Sequence, residues 1–267
     1  MSAALVTAEW TKFRTVRSTT WSLVAMVIVS IGLATLATSV YIGQWQELDA
    51  ADRQQMTTDP IGLVLQPAAT FSQTAICVLG AMVMASEYAS GTITASFLAV
   101  PRRTPVLAAK ALVLAAAVFV AAEVAAVASF FIGRQVLSER VDLSWGDAGV
   151  ARAVLGFGIY LALIALFSLA IGALLRHVGA AIAGTLVVVF VLPGVAGLLP
   201  GDVGEYVSGY LPGGEAAQAI MSTGDTSDAL LSPWQGIGVM AAWTVAALAL
   251  AALWMRRRDV PEGRAAL

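Results

Sequence analysis

Six apolar stretches divide the chain, at about 21–43, 64–85, 107–132, 152–175, 179–199 and 236–255. Each is long enough to cross ~30 Å of hydrocarbon at 1.5 Å per residue. Core helices of soluble proteins seldom sustain such runs, and the alternating pattern of a membrane β-barrel is absent. All six are predicted as α-helices, because N–H and C=O groups in hydrocarbon must pair within their own segment. The fold class that follows is an all-α polytopic membrane protein, with residues 1–267 forming one transmembrane domain.

The gaps between the stretches carry a sign. The two ends and the gaps after the second and fourth stretches hold 11 of the basic residues, and the other gaps hold 4. Acidic residues run the other way, 12 against 4, with Glu123 inside a stretch. The 200–235 gap has five acids and no Lys or Arg. By the positive-inside rule this alternation supports six spans and places both termini in the cytoplasm.

Residues 2–20 form a separate element. Val6, Trp10, Phe13 and Arg17 fall at i, i+4, i+7 and i+11, so one helical face carries three large apolar side chains. Glu9 and Lys12 lie elsewhere on the wheel. The spacing predicts an amphipathic helix lying in the interface, with Trp10 at headgroup depth and Lys12, Arg14 and Arg17 toward the charged surface. A disordered basic tail is the alternative. Trp254 followed by Arg256, Arg257 and Arg258 reads as an aromatic and basic anchor, or as a contact for acidic headgroups. The run from Trp21 to Tyr41 is longer than a signal-peptide core, so a cleaved signal is not expected.

Composition agrees with this layout. Hydrophobic residues make up 59% and charged residues 12%, with a mean hydropathy of +0.83. Soluble domains carry about 25% charged residues. The lone cysteine, Cys77, lies in an apolar run and can form no disulfide within the chain. Glycines inside the stretches, such as Gly156, Gly158, Gly172 and Gly184, fit close helix packing.

Catalytic chemistry is sparse. His177 is the single histidine, too few for a clustered metal site or a hydrolytic triad, and no G-x-S-x-G elbow occurs. The two lysines, Lys12 and Lys110, belong to no phosphate-binding loop. The chain is therefore not expected to be an enzyme or to hold a metal or cofactor. ATP and Mg would reside in a partner subunit, and no nucleic-acid partner is expected. Glu123 is the one ionisable group deep in a span. It is a candidate pathway or proton-coupling residue, or else an interhelical hydrogen-bonding group.

The 86–106 segment, between the second and third spans, is the most informative loop. Ile93, Phe97 and Val100 give a short helix an apolar face, Pro101 and Pro105 break it, and Arg102, Arg103 and Lys110 hold the return at the cytoplasmic surface. Such a rigid protrusion is suited to taking a push from a partner. Glu87 with Tyr88, then Gly91-Thr92, then an apolar run closing on Pro101, Arg103 and Lys110, resembles the corresponding loop of ABC-2 family ABC-transporter permeases. Thr94 stands where those permeases often have an acid. Leu211-Pro212 followed by Ala216, Ala219 and Ile220 is a weaker match to the segment before the family's last span. The opening Glu9-Trp10-Thr11-Lys12-Phe13-Arg14, together with the loop, resembles actinobacterial members.

The resemblance implies a type V exporter-like permease fold in a bacterial plasma membrane, with 86–106 as a coupling loop and 200–235 as an outer segment. It further implies a second permease copy, homodimeric or paralogous, and a separate ABC ATPase subunit seated on the loop and the interfacial helix. Two other functions stay open. One is a proton- or ion-coupled carrier using Glu123. The other is a non-transporting sensor or immunity subunit. The substrate is not legible.

Overall fold

The structure is a computed structural model describing residues 3–100, 103–224 and 230–257. Its elements in chain order are α1 (Ala3–Thr15), α2 (Arg17–Gly43), α3 (Ala50–Thr58), α4 (Pro60–Ala89), α5 (Thr92–Ala99), α6 (Arg103–Leu137), α7 (Val150–Leu175) and α8 (Val178–Leu186). A π-helical turn (Val187–Val191), α9 (Leu192–Ala196), α10 (Asp202–Gly209), α11 (Glu215–Met221) and α12 (Pro233–Arg257) follow. No strand occurs among the described residues. Six segments are long and apolar enough to span a membrane: α2, α4, α6, α7, the 178–196 segment and α12. The expected six-span, all-helical architecture is present.

Helix ends differ from the apolar boundaries. Hydropathy marks where side chains leave hydrocarbon, whereas backbone pairing continues until a cap or proline stops it. Thus α4 starts at Pro60, where a missing N–H costs nothing, and Asp59 caps it by accepting from Gly62 N at 3.1 Å. At 35 residues, α6 runs roughly 50 Å and so extends well beyond the bilayer core.

The interfacial helix is also shorter than expected. It ends at Thr15; Val16 is extended (φ −79, ψ 101), and Arg17 opens α2 instead of closing α1. The expected face is only partly used. Phe13 packs on the core, but Trp10 is exposed and stacks on Phe13 at 6.3 Å. The residue α1 buries is Glu9, 3% exposed, because a cation from α6 meets it.

At the centre lies α7, packed on α4, α6, α8, α11 and α12. Of its apolar window 72% is buried, against 17% for the 178–196 span. Small residues bring α4 and α7 close together. A Cβ on Gly80 would lie 2.5 Å from Ala165 O and 2.7 Å from Ser168 Cβ, so backbone meets backbone there. Buried Ser30 and Ser72 hydrogen-bond between α2 and α4, and Tyr160 donates to Gln73 between α7 and α4.

The fifth span is not one α-helix. Pro193 has no N–H to offer Val189 O four residues earlier, and the preceding turn widens to i→i+5 pairing, with Leu192 N bonding Val187 O. Gly213, in the left-handed region at φ 81, rests against Val189; a side chain there would overlap the Val189 carbonyl. At the same end α11 is clamped down. Asp59 accepts from Thr223 N (2.9 Å) and Oγ1 (3.0 Å), Arg152 donates to Ile220 O (3.0 Å), and Trp243 Nε1 donates to Tyr210 O (2.8 Å).

Gly80→Ala should cost roughly 1–3 kcal/mol through overpacking against fixed backbone. Gly32→Ala, where a Cβ meets nothing within 4 Å, should cost almost nothing. The unfolding midpoints of the two purified variants test the difference.

Candidate functional site

Helices α1, α4, α5 and α6 meet at the end of the bundle opposite α11. Lys110, one of the chain's two lysines, sits near the start of α6 with its side chain 5% exposed. A bare ammonium there would be costly, so it must be matched by acids and hydrogen bonds. Lys110 Nζ donates to Glu9 Oε2 of α1 at 2.7 Å and to Glu87 Oε1, in the last turn of α4, at 2.8 Å. The other lysine, Lys12, donates to Glu9 Oε1 at 2.9 Å and lies 3.6 Å from Glu87 Oε1. It also donates to Ser96 Oγ of α5 at 2.9 Å. Two acids and two bases thus balance in one network that pins the interfacial helix to α4, α5 and α6.

This corrects one expectation. Lys110 is not a surface anchor; it is buried, because α6 begins seven residues earlier and carries it inside the bundle. Glu9 and Lys12, which lie off the apolar face of the wheel, are the polar side by which α1 attaches. Burial raises the Glu9 carboxyl, but Lys110 and Lys12 outweigh it and hold it below the ordinary carboxylate range. Burial lowers Lys12, yet its bonds to Glu9 and Glu87 prevail and hold it above the usual lysine value.

The loop residues divide among several tasks. Gly91 turns the chain between α4 and α5 at φ 74, a conformation that favours glycine. Thr92 opens α5, and its hydroxyl pairs with Ser90 Oγ at 2.9 Å. Ile93 is fully buried and Phe97 packs against the core, as the apolar spacing predicts. Arg103 lies over the Phe97 ring at 5.4 Å and donates to Met255 O at 2.8 Å, joining α5 to the carbonyl end of α12. Tyr88 is not in the charge network; its ring lies under Arg176, 5.0 Å away, at the α7–α8 turn. Arg14 and Arg17 are exposed. Pro101, Arg102 and Arg258 lie outside the described residues.

Glu123 is remote from this cluster, on the face of α6 that packs on α7. It lies against Gly158, where any side chain would overlap its carboxylate. Its Oε1 is buried and has no hydrogen-bond partner among the described residues. Sequence reasoning missed Ser96 and the role of Glu9. One signal was available: a lysine inside an apolar run needs an acid, and Glu9 and Glu87 are two of the four acids in the basic gaps and ends, the others being Asp259 and Glu262.

Lys110→Met should lower stability by about 3–5 kcal/mol, the usual cost of stranding partners of a buried ion pair, while Arg14→Ala should leave it unchanged. Thermal unfolding of the purified variants measures both. The folded Glu9 value lies below its unfolded value of about 4.3, so its contribution is complete above that pH and is lost as pH falls through the folded value. Protection factors of the α1 amides, which correct for the intrinsic slowing of exchange in acid, should therefore fall below about pH 4.3.

The family model described as ABC-2 family transporter protein matches residues 5–194. The matched region runs from α1 to the fifth span and contains the whole Glu9–Lys12–Glu87–Lys110 network. No curated protein matches the chain. The match covers well over half of a chain with six candidate membrane helices: this protein belongs to the ABC-2 transporter family and is a multi-pass membrane permease.

Proposed function

We propose that the chain is the membrane subunit of an ABC exporter, working as a pair of permease copies driven by a separate ATPase subunit. The carrying observation is the ionic network. A helix of the required kind, α5, connects α4 to α6 and is tied by Lys12 to α1. A force applied to α5 or α1 would reach two spans at once through Glu87 and Lys110. The bond from Arg103 to Met255 O gives α5 a second route, into α12. The basic bias of the α1–α5 end supports a cytoplasmic position at a bacterial plasma membrane, where an ATPase could reach it. The sequence lacks a phosphate-binding loop, so hydrolysis falls to the partner.

A second reading is a proton-coupled carrier. The observation favouring it is the buried, unpartnered Oε1 of Glu123. The two readings separate cleanly. A carrier moves substrate in vesicles containing this chain alone, and Glu123→Gln stops it. An ABC permease moves nothing until its ATPase and ATP are added.

Under the ABC reading, Gly91→Val forces a branched residue into the left-handed region at a cost of roughly 1–2 kcal/mol. That strain should misplace α5, cutting permease-stimulated ATP hydrolysis several-fold while α2, α4 and α7 stay folded. Reconstituted ATPase assays beside circular dichroism measure this. Full stimulation by both Gly91→Val and Glu87→Gln would reject α5 as the coupling element.

A further inference from the structure

A cavity of about 250 Å³ lies at the end of the bundle opposite the ionic network, lined from the end of α2, the first half of α4, α7 and α11. That is space for about eight waters at ~30 Å³ each, enough for one ring-sized group and too little for a drug-sized molecule. No Asp, Glu, Lys, Arg or His lines it among the described residues. Its polar lining is amide and hydroxyl, from Tyr41 of α2, Gln66, Thr70 and Gln73 of α4, and Gln218 of α11. A charged group entering it would lose hydration and find no countercharge, so the lining favours a neutral occupant.

Gln73 is the deepest of these amides. It is 6% exposed and lies about 20 Å along α4 from Pro60, at hydrocarbon depth. Tyr160, wholly buried, donates to its Oε1. The Nε2 of Gln73 donates to nothing among the described residues, yet it is not sealed away. The sealed polar atoms without a partner belong to Glu87, Glu123, Ser129 and Arg176. Two N–H donors of Gln73 are therefore open to the cavity that this residue lines. An acceptor lies on the same helix. Pro67 has no N–H to offer Leu63 O one turn back, and both residues line the cavity. Tyr41, Gln66 and Gln218 can each donate and accept, and their side chains make no hydrogen bond among the described residues.

We propose that this cavity binds one uncharged, polyhydroxylated ring, as carried by a free sugar or by the headgroup of a glycolipid. One ring hydroxyl accepts from Gln73 Nε2, another donates to Leu63 O, and Gln66 and Gln218 meet the rest. A hydroxyl both gives and takes, which matches a lining of amides, a phenol and a freed carbonyl. An alkyl chain would leave the Gln73 donors unpaired in hydrocarbon, and an ion would lack a countercharge. An extended peptide is also neutral, but a cavity of about 250 Å³ holds only a fragment of one. The site stands whether or not the chain works with an ATPase.

Native mass spectrometry of the full-length chain tests this, in an amine-oxide detergent that carries no sugar. The probes are methyl glucoside and three lipids of identical acyl chains: a monoglucosyl diacylglycerol, the bare diacylglycerol and phosphatidylglycerol. The glucosyl lipid should bind about tenfold more tightly than either other lipid, the gain expected of one or two net hydrogen bonds. Gln73→Leu keeps the bulk, removes the donors and should erase that preference. The pair Gln66→Leu and Gln218→Leu, at positions outside the core, serves the same end if Gln73→Leu does not fold. A preference that methyl glucoside cannot displace assigns the site to a glycolipid. Binding of methyl glucoside itself, lost in the same variants, assigns it to a free sugar. Absence of both, tighter binding of phosphatidylglycerol, or undiminished binding in the folded variants would overturn the proposal. Retention of a blocked dipeptide in place of the glucoside would reassign the site to amides and overturn it as well.

Discussion

The burial of Lys110 is the constraint from which this end of the molecule follows. An ammonium 5% exposed and surrounded by apolar spans is tolerable only with close carboxylates. One comes from the end of α4 and the other from α1, more than a hundred residues earlier. That demand explains why a modestly apolar N-terminal helix attaches to the bundle through an acid. It also explains why α4 and α6 hold a fixed register at this end. Non-directional apolar packing would let helices slide past one another, whereas two charge-assisted bonds on one nitrogen permit one arrangement.

The opposite end is organised by different means. Asp59 both caps α4 and fastens the segment after α11, so one carboxylate starts a span and holds a distant segment against its first turn. Arg152 and Trp243 tie down the same region through backbone carbonyls. Between the two ends, α4 and α7 approach through Gly80 and Gly172 with few polar contacts. The protein is thus polar and specific at its two rims, and closely packed in the middle.

The spans were legible because hydrocarbon imposes a length and forbids unpaired backbone. The match between basic gaps and the α1–α5 end was legible for the same reason. What the sequence hid were relations between distant segments. A helical wheel puts Glu9 off the apolar face of α1 but cannot show Lys110 arriving from α6 to meet it. Lys110 itself resembles a surface anchor, because hydropathy marks the third stretch from about 107 and cannot show that its helix begins at Arg103. Glu87 was singled out from the loop pattern; its role as a shared acceptor needed three dimensions. Pro193-Gly194 announced a disturbance in the fifth span, but not its upstream displacement into the valine run.

That widened turn at Val187–Val191 has a consequence for everything that follows it. A π-turn holds one residue more than an α-turn, so absorbing it would rotate α9 by about 100° and shift which side chains face the lipid. Gly213, wedged against Val189, blocks that rewinding from outside. Rewinding the fifth span would therefore require the Gly213 segment to leave the Val189 carbonyl, so the identity of the lipid-facing side chains in α9 is held by a contact made from beyond the span.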